Sequence, residues 1–257
     1  MATIEILSWN VNGIRAVEKK GFLDWLHKTS PHILCLQETK AHVDQLSDAL
    51  KDPKPYSVHW DSAERKGYSG VATFSNIQFK SVKNGLGIDR FDREGRTLVS
   101  DFGDFVLFNV YFPNGQMNDD RLKFKMDFYD AMLETAKKVR RRGQGVIISG
   151  DVNTAHKPID LARPKENEHT SGFLPQERAW IDKLVAAGFV DSLRVFRPEP
   201  DLYTWWDMKS RARERNVGWR IDYHFVSEDL ASRLKDAYIL PEVTGSDHCP
   251  VGIKLQI

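Results

Sequence analysis

The feature that most constrains this chain is a recurring one: short, apolar, β-rich runs bordered by carboxylates, amides or an imidazole. Ile4-Glu5-Ile6-Leu7-Ser8-Trp9 leads into Asn10-Val11-Asn12-Gly13, and Ile33-Leu34-Cys35-Leu36 leads into Gln37-Glu38-Thr39-Lys40. Phe105 to Val110 ends in Tyr111-Phe112-Pro113-Asn114-Gly115, and Val146-Ile147-Ile148 in Ser149-Gly150-Asp151-Val152-Asn153-Thr154. Asp222 sits in the run Ile221 to Val226, and Gly245-Ser246-Asp247-His248-Cys249-Pro250 precedes the last run, Val251, Ile253 and Leu255. Runs of this length and content are strands buried in a sheet. One polar border is a turn, and a lone Ser-Asp-His is more often surface than site. The same border on six strands of one chain points to a shared rim. Carboxylates such as Glu38 and Asp151, attached directly to apolar strands, are costly there unless they are paired or ligate a metal.

Between these runs the pattern is that of one domain, residues 1–257, without repeats, low-complexity tracts or a linker. A helix starts near Phe22 and Pro31 stops it; a longer surface helix runs from Leu122 to about Arg142, and a third starts at Pro175 and closes near Gly188. Short strands at Ser57 to Asp61, Gly70 to Phe74, Phe79 to Val82, Thr97 to Phe102 and Phe105 to Val110 follow one another closely, the last two as a hairpin turning at Gly103-Asp104. That spacing favours a β-layer or sandwich over repeating βαβ units. With 41% hydrophobic and 28% charged residues the composition is that of a soluble globular protein; no apolar run is long enough to span a bilayer, and an intracellular location is expected. Cys35 and Cys249 read as small core residues. A net charge of +1 means that any nucleic-acid binding must come from a local patch.

The ligands available at the rim are almost all oxygen, with one useful histidine and no thiolate pair. This suits Mg²⁺, with Mn²⁺ as a substitute, and argues against structural zinc. Oxygen-ligated Mg²⁺ usually serves phosphate chemistry, so a phosphodiester hydrolase is the natural class.

Ser8-Trp9-Asn10-Val11-Asn12-Gly13-Ile14-Arg15, Leu36-Gln37-Glu38-Thr39-Lys40, Tyr111-Phe112-Pro113-Asn114-Gly115, Gly150-Asp151-Val152-Asn153, Gly172-Phe173-Leu174-Pro175-Gln176-Glu177-Arg178, Asn216-Val217-Gly218-Trp219-Arg220-Ile221-Asp222-Tyr223 and Ser246-Asp247-His248-Cys249-Pro250 resemble, in order and across nearly the whole chain, the signature blocks of the exonuclease III family of apurinic/apyrimidinic endonucleases. The resemblance implies an α/β fold: a four-layered α/β sandwich of two mainly antiparallel β-sheets packed face to face and flanked by helices. It implies a Mg²⁺-dependent cut on the 5′ side of an abasic site in double-stranded DNA, leaving a 3′-hydroxyl and a 5′-deoxyribose phosphate. It also implies 3′→5′ exonuclease activity and opens the question of direct incision at damaged or deaminated nucleotides.

Carried over by position, Glu38 is the main metal ligand, with Asn10 and Asp247 nearby. Asp151, held by Asn153, orients or deprotonates the water; His248, paired with Asp222, contacts the scissile phosphate, supported by Tyr111, Asn114 and Asn153. The residues leave open whether Asp151 or His248 is the base; Asp151 is preferred, because a cationic imidazole is a better phosphate partner than proton acceptor. Trp206 and Trp219 are expected to line a pocket for the flipped-out sugar. Arg15, Tyr68, Arg96, Lys125 and Asn167 are expected to grip the backbone. Met117, Met208 and Lys209 are candidates to wedge into the duplex, with ordinary surface an equal alternative.

Asn12 stands where many relatives carry Asp, which removes a formal charge and predicts weaker or differently placed metal binding. Phosphoesterases acting on RNA tails, lipids or inositol phosphates share this fold and metal site, and a silent DNA-binding module is a further alternative. Against them stand Asn216 to Arg220 with the tryptophans, and the complete set of acid, base and phosphate-binding groups. A monomer is expected, in a bacterial or archaeal cytoplasm near the nucleoid, since no basic extension precedes the first strand.

Overall fold

The computed structural model describes residues 2–257. Twelve strands form two six-stranded sheets. They are β1 (Thr3–Asn10), β2 (Ile33–Gln37), β3 (Ser57–Asp61), β4 (Val71–Ser75), β5 (Ser81–Asn84), β6 (Thr97–Asp101), β7 (Phe105–Tyr111), β8 (Gly145–Asp151), β9 (Phe189–Asp191), β10 (Asp222–Ser227), β11 (Leu234–Ile239) and β12 (Val251–Gln256). One sheet is ordered β11-β12-β1-β2-β4-β3 and the other β5-β6-β7-β8-β10-β9. Only β1–β2 and β7–β8 pair in parallel. Each of these pairs is joined by a helical crossover, as parallel neighbours require.

The expected sandwich and the Thr97 to Val110 hairpin are present. Strands β9 and β11 were not anticipated. The first has three residues, and the second is an edge strand carrying Lys235 and Asp236, the kind of charge that keeps edges from pairing and blurs their alternation. The long helix begins earlier than expected, at Asp119, because the Asn118 side chain accepts from the Arg121 amide at 2.8 Å and caps it.

Strand alternation builds the layers. Leu7 and Trp9 of β1 and Leu34 and Leu36 of β2 face outward onto the helix Phe22–Thr29, burying Phe22 and Leu26. Val106, Phe108 and Val110 of β7 and Val146 and Ile148 of β8 face the helices Asp119–Arg140 and Pro175–Ala186, against Phe128, Met132, Trp180 and Ile181. The opposite faces meet between the sheets, and their character changes along each strand. Ile4, Ile6, Ile33, Phe105, Leu107 and Ile147 make a dry core at one end.

Two residues further on, the same faces carry Ser8, Gln37, Asn109, Ser149 and His224, all buried. Gln37 Nε2 donates to Ser8 Oγ at 3.0 Å and to Asn109 Oδ1 at 2.8 Å. The His224 ring spans Ser149 Oγ at 2.6 Å and the Val251 carbonyl at 3.2 Å, tying one sheet to the other. A further step brings Asn10, Tyr111, Asp151 and Asp222 to the open end. No helix among the described residues is long and apolar enough to cross a membrane.

Candidate active site

The rim lies at the C-terminal ends of the two parallel pairs, the usual place for a site in sheets that contain such pairs. Asp222 and His248 belong to the start of β10 and the turn before β12, and reach the same rim because those strands run antiparallel to their neighbours. Asn12, Glu38 and Asn153, just past the ends of β1, β2 and β8, have positive φ of 45°, 51° and 54°. Left-handed backbone at non-glycine residues is costly and gathers at functional sites. Gly150 is required before Asp151: a Cβ there would come within 1.9 Å of the Val110 carbonyl oxygen.

At the centre, Asn10 Nδ2 donates to Glu38 Oε1 at 3.0 Å and Asp151 Oδ2 at 2.9 Å, tying together carboxylates from different sheets. Its Oδ1 accepts from the Asn12 amide. In this arrangement Asn10 turns its NH₂ to both carboxylates and its oxygen to the Asn12 amide. Asp151 Oδ1 accepts from the Asn153 amide at 2.8 Å, and Asn153 Nδ2 donates to the Phe112 carbonyl at 2.9 Å. Asn114 Nδ2 donates to Asn153 Oδ1 at 3.2 Å.

His248 Nδ1 lies 2.9 Å from Asp222 Oδ2, an oxygen that also accepts from Thr204 Oγ1 at 2.6 Å. Asp222 Oδ1 is buried with no hydrogen-bond partner among the described residues. His248 Nε2 points toward Asp151 Oδ2, 4.0 Å away. Burial opposes the imidazolium, but Asp222, followed by Asp151 and Asp247, outweighs it and raises the His248 pKa to about 10. Burial, then the Asp222 charge, pushes Asp151 well above the ordinary carboxylate range. Burial also works against the Glu38 carboxylate, yet Lys40 beside it, together with the Asn10 amide and the His248 charge, more than compensates and holds its pKa below the usual value. Tyr111 stays a neutral phenol because of burial and the nearby Glu38 charge.

Glu38, Asp151 and His248 place ligand atoms within 4.8 Å of one another. An imidazolium has no lone pair to give, so the two carboxylates are the donors that suit a hard cation. A divalent metal fits this donor set. Asp247 lies outside that group: Oδ1 accepts from Asn12 Nδ2 at 3.0 Å and Oδ2 from Trp205 Nε1 at 3.0 Å.

A cavity of about 560 Å³ opens beside these groups, lined by Tyr111, Asn114, Asn167, Trp205, Trp219, Ile221 and His248, among others. Trp219 is on its wall as expected. Trp206 is not: it is 3% exposed, bonds Asn216 through Nε1, and stacks under Arg213 in a separate cluster. Its neighbour Trp205 faces the cavity and meets the Trp219 ring edge-on at 6.4 Å. Trp205 bridges to Trp219 and His248 as a strand residue would, so period-two alternation turns Trp206 the other way. Trp205, Thr204, Ile221 and Lys40 are the residues that the sequence reading passed over, and that alternation was the available signal for the tryptophan.

The expected backbone grip divides. Arg15, Lys209 and Asn114 are exposed, Tyr68 and Asn167 half-buried, and Met117 is 78% and Met208 65% exposed. Tyr68 and Met117 border a second groove with Arg65, Arg93 and Arg121. Lys125 does not reach the surface: its Nζ, fully buried, donates to Glu177 Oε1 at 2.6 Å, the Asn153 carbonyl at 2.8 Å and Thr154 Oγ1 at 3.0 Å. Arg96 is 2% exposed; it pairs with Glu94 at 2.5 Å, donates to the Tyr111 carbonyl at 3.1 Å, and lies over the Tyr111 ring. Both are cations on inward-facing positions, and they hold Asn153 and Tyr111 in place. His156 and His224 do not line the cavity; His156 pairs with Asp182 at 2.8 Å.

Residues 7–248 match the model of the Endonuclease/Exonuclease/phosphatase family. This chain belongs to that family. The exodeoxyribonuclease of Bacillus subtilis (strain 168) is 41% identical over 256 residues, 99% of this chain and 100% of its own length. An AP endonuclease from Archaeoglobus fulgidus superposes with a TM-score of 0.90 at 28% identity, covering 99% of this chain and 100% of that one. A 3′ phosphatase from Neisseria, bound to a product DNA hairpin, gives the same TM-score at 29% identity, with 99% and 100% covered.

Proposed function

We propose that this member of the family is a DNA-repair nuclease that incises double-stranded DNA 5′ to an abasic site, with accompanying 3′→5′ exonuclease activity. The observation that carries this reading is the juxtaposition of the Glu38–Asp151–His248 cluster with a cavity walled by Trp205, Trp219 and Ile221. The apolar wall accepts a base-free sugar, which explains selection without base reading. The relatives named as an exodeoxyribonuclease and an AP endonuclease support it.

Mg²⁺ held by Glu38, with Asp151 within reach, would supply Lewis-acid stabilisation of the charge that develops on the phosphate. Asp151, with its raised pKa, takes the proton of the attacking water, as a general base should near neutrality. The water oxygen adds to phosphorus and the P–O3′ bond breaks; the departing 3′-oxyanion takes a proton from solvent, leaving a 3′-hydroxyl and a 5′-deoxyribose phosphate. His248, held cationic by Asp222, donates Nε2–H to a phosphate oxygen, and the Tyr111 hydroxyl and the Asn114 and Asn153 amides support the same group. Asn10 fixes the spacing of the two carboxylates.

The test sets abasic, uracil-containing and undamaged duplexes side by side with Mg²⁺ and with chelator. Only the abasic duplex with Mg²⁺ should be nicked efficiently, giving a 3′ end that a polymerase extends. Hydrolysis of an inositol polyphosphate or phospholipid without abasic incision would place the chain in another branch. Asp151→Asn should lower turnover by about 10²–10⁴-fold, as loss of a general base does, with DNA affinity nearly unchanged; a near-normal single-turnover rate would assign the base elsewhere.

A further inference from the structure

Lys40, three residues past the end of β2, also has a positive φ, 51°, and it turns its side chain back over Glu38. Its Nζ lies 2.7 Å from Glu38 Oε2 and donates to Asn12 Oδ1 at 2.5 Å. The other Glu38 oxygen accepts from Asn10, so both oxygens of the carboxylate best placed to ligate a metal already carry donors. An ammonium and a divalent ion cannot share one carboxylate oxygen without strong repulsion. The Lys40 side chain is 34% exposed and lines the cavity, which leaves it room to swing away.

Asn12 also holds the ammonium, through Oδ1, while it gives its NH₂ to Asp247. We propose that Lys40 is the resident counter-cation of Glu38, that a divalent ion must displace it, and that this charge sets the metal affinity of the DNA-free protein. The inference rests on Glu38 being the metal ligand, as proposed above.

Calorimetric titration of the full chain with MnCl₂, without DNA, tests it. Lys40→Met should lower the Mn²⁺ dissociation constant by about tenfold, the scale of one partly screened charge contact. Lys40→Arg, which keeps the charge, should bind like the unaltered chain, and Glu38→Gln should lose binding. Lys40→Gln gives the same reading as Lys40→Met if the methionine variant is poorly folded. Unchanged or weaker Mn²⁺ binding in Lys40→Met, or equal tightening in Lys40→Arg, overturns the role of Lys40 while leaving the ligand assignment standing. Normal binding by Glu38→Gln overturns the ligand assignment and, with it, this inference.

Discussion

Two groups of ionised side chains are buried to the same depth in this molecule, and they behave in opposite ways. In the first, Asp160 and Arg220 are each 1% exposed. Asp160 Oδ1 accepts from Arg220 Nε at 2.8 Å and Arg194 Nη2 at 2.6 Å, and Oδ2 from the Lys157 amide at 2.9 Å. Arg220 turns its remaining nitrogens to Asp191 at 3.1 and 2.7 Å. Burial opposes the Asp160 charge, but Arg220 prevails and holds its pKa down. In the second, Asp151 and Asp222 are 1% and 2% exposed, one Asp222 oxygen is unpartnered, and the Asp151 pKa goes up. The carboxylates and their burial match. What differs is the supply of cations, complete in the first group and short in the second. A matched set makes a scaffold, whereas an excess of carboxylates at the rim leaves negative charge that a metal ion or a proton would offset.

The contrast breaks most visibly at Arg220. Arg220→Met strands Asp160 and Asp191 in the interior and should cost about 3–5 kcal/mol by urea unfolding, as removal of one partner of a buried pair does; a loss below about 1 kcal/mol would mean that the pairing is not what holds this region. The polar band between the sheets sharpens the comparison through pH. Burial lowers the His224 pKa to about 4, so the folded ring stays neutral while the unfolded one gains a proton below about 6.5. Stability should therefore fall as pH drops from about 6.5 to about 4, by on the order of 3 kcal/mol, and His224→Asn should flatten that slope. An acid limb unchanged in that variant would move the effect to another group.

At the rim the expected stability changes are smaller. Asp222→Asn keeps an oxygen for Thr204 and His248 but removes one surplus charge. Its stability should shift by no more than about 1 kcal/mol, while turnover falls by about 10²-fold or more because His248 loses its counter-ion. A variant that unfolds instead would show the second cluster to be scaffold too. Smallest of all is Arg15→Ala: no measurable change in melting, weaker DNA binding, and a salt dependence of affinity reduced by about one phosphate contact.

The polar borders of apolar runs made most of the candidate site legible: Glu38, Tyr111, Asn153 and His248 line one opening, and Asp151 and Asp222 are hydrogen-bonded or paired directly behind them. Convergence on a single rim followed from strand ends, because parallel pairs and their antiparallel neighbours deliver opposite termini to the same side. What could not be read was the direction of a side chain on a surface helix or in a loop. Lys125 carries the charge of a DNA contact, yet it lies on the inward face of its helix with Glu177. Arg96 lies just before β6 and borders the second groove, but its guanidinium is taken up by Glu94 and the Tyr111 carbonyl. Trp205 and Trp206 are chemically equal in the sequence, and only the bridge to Trp219 decides between them. Lys40 was quoted within a block and given no role, since its meaning depends on a backbone turn that brings it back over Glu38.

The gradation along the inner faces, from Ile6 through Ser8 to Asn10 and from Leu107 through Asn109 to Tyr111, has a consequence for how this architecture can diversify. The amides, hydroxyls and imidazole halfway along form an insulating collar, so a change of charge at the open end does not confront hydrocarbon directly. Substitutions in the loops beyond the strands and substitutions in the dry core should therefore be nearly additive in stability, which a double-mutant cycle between Asn12 and Leu107 would measure. Substrate preference can drift at one end of these strands while the other end keeps the sheets together.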